Sequence, residues 1–175
     1  MTIGASPSMS AINTEMGVAS TLPINMDDAF VRFFGQAPST PGSAYSMGTF
    51  IGKSSENFAL FVGQSGGQYG YVRATFGNIS GGGLFRGNSV RTIELITGAQ
   101  TDMYIELDGL HPIGFFNGIQ FRSTDLSGPL IGTRHTALSA TYSQIAGTFT
   151  RWLFSNVSDS WAPYVGQNIF FNWVY

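Results

Sequence analysis

The chain has 175 residues, room for one domain with its own core plus a small appendage. Charged residues are 10% of it, against about 25% in an average soluble protein, and a net charge of −2 with an isoelectric point near 5.5 leaves no basic footprint for nucleic-acid phosphates. Cysteine is absent, which excludes disulfides, zinc–thiolate sites and thiol nucleophiles.

The opening run MTIGASPSMSAINTE has neither a basic start nor an apolar core, and no stretch approaches about 18 apolar residues. The expectation is a soluble chain made in the cytoplasm, with no membrane insertion. Few charges mean weak self-repulsion, so much of the surface is expected to lie under partner chains.

Three early segments resemble one another: Ser8-Met9-Ser10-Ala11-Ile12, Asn25-Met26-Asp27-Asp28-Ala29 and Ser46-Met47-Gly48-Thr49-Phe50. Each opens on a residue whose side-chain oxygen suits a helix N-cap. Each is followed by a glycine, Gly17, Gly35 or Gly52, suited to the left-handed C′ position. This pattern predicts three helices of two or three turns. Helices so short gain stability mainly by packing, so Met9, Ile12, Met26, Phe30, Phe33, Phe34, Met47, Phe50 and Ile51 are the candidate assembly interface. A Pro/Gly/Ser connector, residues 36 to 43, separates the second helix from the third.

The predicted domains are 1–54, a helical hook, and 55–175, where the apolar period falls to two. Phe58, Leu60 and Val62 alternate, and Met103, Ile105 and Leu107 point opposite to Asp102, Tyr104, Glu106 and Asp108. Further strands are predicted at Gln68–Arg73, Val90–Ile96, Asn117–Arg122, Ala137–Tyr142, Thr148–Phe154 and Gln167–Val174. The fold class expected is mainly β: an antiparallel β-sandwich preceded by three small helices.

Several runs imitate catalytic motifs. SMGTFIGKSS, residues 46 to 55, is one residue short of a phosphate-binding loop. A proline-rich approach precedes it and a strand follows, so the strand–loop–helix context that phosphate binding needs is missing. Gly63-Gln-Ser65-Gly-Gly67 matches G-x-S-x-G, but another strand follows and predicts a hairpin rather than a nucleophile elbow. Both histidines, His111 and His135, come after Ser65 in the chain and are expected in exposed loops, without metal-ligand spacing. Asp102, Glu106 and Asp108 share one strand face, a weak cation or sugar site or simply a solvated face. No catalytic residue, metal or cofactor is assigned. Trp152, Trp161, Trp173, Tyr69, Tyr71 and Tyr175 suit core and subunit contacts, or stacking on sugar. Trp161 and Tyr164 are the candidate glycan contacts.

The three segments also resemble, in order, a pattern of virion structural proteins of tailed bacteriophages: I-S-[ML]-S-D-[IV]-N-x-E-[LF]-G, then I-S-L-N-D-A-x-V-R, then I-S-[ML]-S-D-F-x-G-K-[ST]. The matching runs here are Ser8 to Gly17, Ile24 to Arg32 and Tyr45 to Ser54, with departures at Ala11 and at Gly48-Thr49. The resemblance implies a non-enzymatic component of the particle, in the tail (baseplate, fibre or tail-associated ring) or else as a capsid decoration, cement or neck protein. It implies a homo-oligomer, a trimer or sixfold ring, in contact with other virion structural proteins. A glycan-binding module that recognises a host receptor is the further alternative.

Overall fold

The two-residue alternation read from the sequence emerges as a set of antiparallel strands. The computed structural model describes residues 3–4, 8–15, 31, 34, 44, 46, 55–123 and 128–175. The chain divides into two units, Met1–Glu56 with Val174–Tyr175, and Asn57–Trp173.

In the first unit, helix α1 spans Met9–Glu15. Its cap is the predicted one, because Ala11 N–H donates to Ser8 Oγ at 3.1 Å while Ile12 N–H donates to Ser8 O at 3.0 Å. Ile12 is fully buried and Met9 is 40% exposed. Val31 and Phe34 are helical and buried. The rest of the predicted second helix, and the third helix beyond Ser46, lie outside the described residues, so α1 is the single complete helix among them. Tyr175 Oη donates to Glu56 Oε1 at 3.2 Å.

The second unit is built from strands β1 (Ser55–Phe61), β2 (Gly63–Ser65), β3 (Gln68–Val72), β4 (Asn78–Ile79), β5 (Leu84–Phe85), β6 (Asn88–Thr97), β7 (Thr101–Asp108), β8 (Gly118–Arg122), β9 (Leu130–Thr136), β10 (Thr141–Ile145), β11 (Phe149–Phe154) and β12 (Asn168–Val174). One sheet runs β4-β1-β12-β8-β9, the other β10-β11-β7-β6-β3-β2, with β5 beside β6.

Side chains of the two sheets meet in an aromatic core. From the second sheet come Ile93, Leu95, Met103, Ile105, Leu107 and Trp152; from the first come Leu60, Phe121, Ile169, Phe171 and Trp173, all at most 1% exposed. Phe85 stacks on Trp173 at 4.2 Å between centroids, and Phe116 meets both Trp152 (5.1 Å) and Trp173 (4.8 Å) edge-on. Each such side chain, fully buried, contributes about 1.5–3 kcal/mol of transfer free energy. The offset and edge-to-face geometries add to that.

Besides the short strands β2, β4 and β5, which the sequence reading does not include, two longer stretches depart from it. Ala137–Tyr142 was expected as one strand, but Ala137–Ser139 is a 3-10 turn. There Ala140 N–H donates to Ala137 O and Ser139 Oγ to Thr136 O. Local turn bonding therefore displaces ladder pairing, and β10 starts only at Thr141. The strand before it, β9, was not expected, because Gly132 (φ +68°) breaks its alternation.

Candidate functional site

The outward face of β6, β7 and β11 carries the densest charge. Val90 pairs with Leu107 and Thr92 with Glu106, so Arg91 is an extra residue between them. A bulge of this kind re-aims a side chain, and Arg91 reaches Asp108 at 3.3 Å while lying 4.4 Å over the Phe149 ring. Arg73 clamps the same carboxylate from two nitrogens, at 2.7 and 2.9 Å. The hydrogen bonds of this pair hold the Asp108 carboxyl below its ordinary pKa and raise that of the Arg73 guanidinium.

Next along the face, Glu106 accepts from Arg151 Nε at 2.7 Å and from Thr92 Oγ1 at 3.2 Å. Arg151 in turn lies 5.2 Å over the Tyr104 ring. Glu94 has an oxygen that is buried without a hydrogen-bond partner. Burial, and then the nearby Glu106, push its pKa up. Asp102 accepts from the Asn156 N–H at 3.0 Å.

Of the expected cation or sugar site, Glu106 and Asp108 are therefore already occupied by this chain's own arginines, and Asp102 by the Asn156 N–H. Glu106, read as solvated, is 7% exposed. Among the described residues no group of three His, Asp or Glu is placed to hold a metal ion.

The histidines also differ from the expectation of exposed loops. His111 is buried; its N–H donates to Thr150 Oγ1 at 2.9 Å, its Nε2 lies 2.7 Å from Asp108 O, and its ring stacks on Phe115 at 4.1 Å. Tyr142 Oη and Gln144 Nε2 both donate to its carbonyl, which fixes the 109–117 loop over β10 and β11. His135 is on β9, 5% exposed, with Nε2 2.8 Å from Asp159 Oδ2. The Asp159 side chain is fully covered, and its Oδ1 has no partner.

Beside this pair lies a cleft of about 370 Å³ whose walls include Arg134, His135, Ser139, Ser155, Asn156 and Ser158. Its hydroxyls and amides suit hydrogen bonding to a small polar group. Arg134, whose Nε donates to Gln120 Oε1 at 2.9 Å, is held on the β8 side.

Trp161 is not a surface platform. It is 0% exposed, packed on Phe121 at 4.7 Å, and its Nε1 finds no partner. A Cβ on Gly70 would sit 2.8 Å from the indole, so the glycine makes room for the ring. This corrects the glycan assignment of Trp161: neither face of a core indole can stack on sugar. Tyr164, in the 3-10 turn Ala162–Tyr164, is half-buried and keeps a surface.

The candidate assembly residues divide. Met9 is exposed, whereas Ile12 and Phe34 are covered within the single chain and so are closed to a neighbour. Met26, Phe30, Phe33, Met47, Phe50 and Ile51 lie outside the described residues. Ser65 ends β2 and pairs with Gln68 across the Gly66-Gly67 turn, the hairpin that its G-x-S-x-G context predicts. No described helix is long and apolar enough to cross a membrane.

Sequence reasoning missed the His135–Asp159 pair, whose members are 24 residues apart with no local motif. It also missed the arginine clamp on Asp108, which joins positions 35 residues apart. Comparison with known proteins adds no relative: no family model, curated protein or solved structure matches this chain.

Proposed function

We propose that the chain is a non-enzymatic structural component of a tailed-bacteriophage virion. In this reading the two sheets face each other as a β-sandwich, and three small helices form an assembly hook. It acts in the tail as part of a baseplate, fibre or tail-associated ring, by subunit contacts with its own copies and with other virion proteins.

The observation that carries the reading is the ordered triple pattern from Ser8 to Ser54, whose first member has its Ser8 cap in place on α1. The closed ion pairs of the β6–β7–β11 face support it, since their carboxylates already hold arginine partners instead of being free for catalysis. Exposed Met9, Phe61, Leu84, Leu110, Leu138 and Val165 on a chain with 10% charged residues leave apolar surface for neighbours.

Gold-labelled antibody against the chain, imaged on purified particles, tests the reading. Label on the tail is the expected result. Label on the capsid or neck transfers the role to a cement or neck protein, and unlabelled particles contradict both.

The polar cleft beside His135 favours one second reading, contact with a host surface glycan. Its hydroxyls and amides, together with Tyr164 elsewhere on the surface, replace Trp161 as the polar contacts. A glycan array with the isolated chain and with Ser155→Trp, which fills the cleft, tests it. Binding lost in the variant supports the reading, and a wild-type chain that binds no glycan excludes it.

A further inference from the structure

An edge strand presents unpaired N–H and C=O groups to any other strand, and folded proteins blunt it by shortness, charge, proline, bulges or cover. Three of the four sheet edges here carry such devices. Strand β4 has two residues, Asn78–Ile79. The flank of β1 beside it is closed by Ser80, whose Oγ accepts from Ala59 N–H at 2.8 Å and whose N–H donates to Ala59 O at 2.9 Å. Beyond that point β1 carries the charge of Glu56.

Strand β2 has three residues, and the backbone at Gly77 lies so near that a Cβ on Gly63 would come within 2.2 Å of Gly77 N. Strand β9 carries Arg134, the positive φ of Gly132 and an irregular register against β8 between Ile119 and Phe121.

The 109–117 loop lies against the face of β10 that Tyr142 and Gln144 share, but among the described residues the open backbone edge of β10 has none of these devices. The strand's sequence Thr141-Tyr-Ser-Gln-Ile145 contains no charge, proline or glycine, and it pairs with β11 through five consecutive residue pairs without a shift. Its other side faces no strand among the described residues.

We propose that β10 is a pairing edge for β10 of a second copy of this chain, antiparallel about a two-fold axis at Ser143. The occupant follows from length and charge. Among the described edges, β10 alone is both long and unguarded, so a second copy offers it only one equal partner, its own β10. Pairing about Ser143 sets Thr141 against Ile145, Tyr142 against Gln144 and Ser143 against itself. No like charges oppose one another at any step.

Leu138, 75% exposed in the turn just before the strand, adds apolar surface beside the edge. A two-fold contact joins copies in pairs. It is absent from a simple closed trimer and from a sixfold ring, both built from head-to-tail contacts, and fits six copies only when they are arranged as three pairs about a threefold axis. The inference does not depend on the virion reading.

Sedimentation equilibrium of the full chain, with circular dichroism to confirm folding, tests the inference through a charge exchange at Ser143. Wild type is expected at twice the single-chain mass of 18.8 kDa. Ser143→Lys alone, or Ser143→Glu alone, sets like charges opposite each other at the axis and weakens pairing by roughly fivefold or more. An equimolar mixture of the two variants restores the pair, because only pairing of position 143 with itself across the axis turns repulsion into attraction. Wild type at the single-chain mass overturns the proposal. So does a wild-type oligomer that both variants leave unchanged, or a mixture no more associated than its components.

Discussion

Replacing Trp161 separates a core role from a surface role. The indole has no exposure, packs on Phe121 at 4.7 Å and sits over Gly70. Trp161→Ala removes the ring and leaves a cavity, at a cost of about 3–5 kcal/mol. Trp161→Phe keeps an aromatic ring on Phe121 and removes an Nε1–H that is buried without a partner. An unsatisfied buried donor costs about 1–3 kcal/mol, which offsets the lost volume, so the phenylalanine variant should stay within about 1.5 kcal/mol of wild type. Urea unfolding followed by far-ultraviolet circular dichroism gives the free energies, provided that the slope with denaturant is the same in all three proteins. An alanine variant within about 1 kcal/mol of wild type would refute the burial of Trp161 and reopen its role at the surface.

Gly70→Ala places a Cβ at φ +125°, 2.3 Å from Ile93 O and 2.8 Å from the Trp161 ring, and should cost at least about 2 kcal/mol; an unchanged thermal midpoint would mean that the indole lies elsewhere. Asp108 has its pKa depressed by Arg73, so its contribution is present above the ordinary aspartate value of 3.8 and is lost as pH falls through the lower folded value. Asp108→Asn should therefore lower the urea midpoint at pH 7, modestly because the pair is over a third exposed, and the gap should close below pH 3.8; a gap that widens in acid would contradict the pairing. Glu94 behaves in the opposite sense: burial and Glu106 raise its pKa above 4.5, so its contribution is full below that value and is lost as pH rises through the folded one. Glu94→Gln should stabilise the chain at pH 8 and converge with wild type towards pH 4.5, and a glutamine variant less stable at pH 8 would show that the carboxylate has a partner.

The sequence disclosed what depends on neighbours in the chain. Met103, Ile105 and Leu107 alternate with polar residues, and β7 forms with those three inward. Ser8 caps α1, and Ser65 lies in a hairpin, because caps and tight turns are decided within four or five residues. What the sequence concealed depends on distant segments. For Trp161 the sequence leaves core packing and sugar stacking both open, and only Gly70 and Phe121, on strands distant in the chain, decide for the core. His135 read as a loop residue because Gly132 interrupts the alternation of β9, and its partner Asp159 comes from a separate connection. The carboxylates of β7 read as solvated because the strand pattern gives the face of a side chain and not its company. That company, Arg73, Arg91 and Arg151, arrives from three other stretches of chain.

The proposed virion role is tested most directly by the copy number of the chain in purified tailed-bacteriophage particles, measured by quantitative peptide mass spectrometry against the major structural proteins. A structural component is predicted to be present at a fixed copy number that is a multiple of three or six per particle. A chain abundant in infected cells and absent from purified particles would contradict that role.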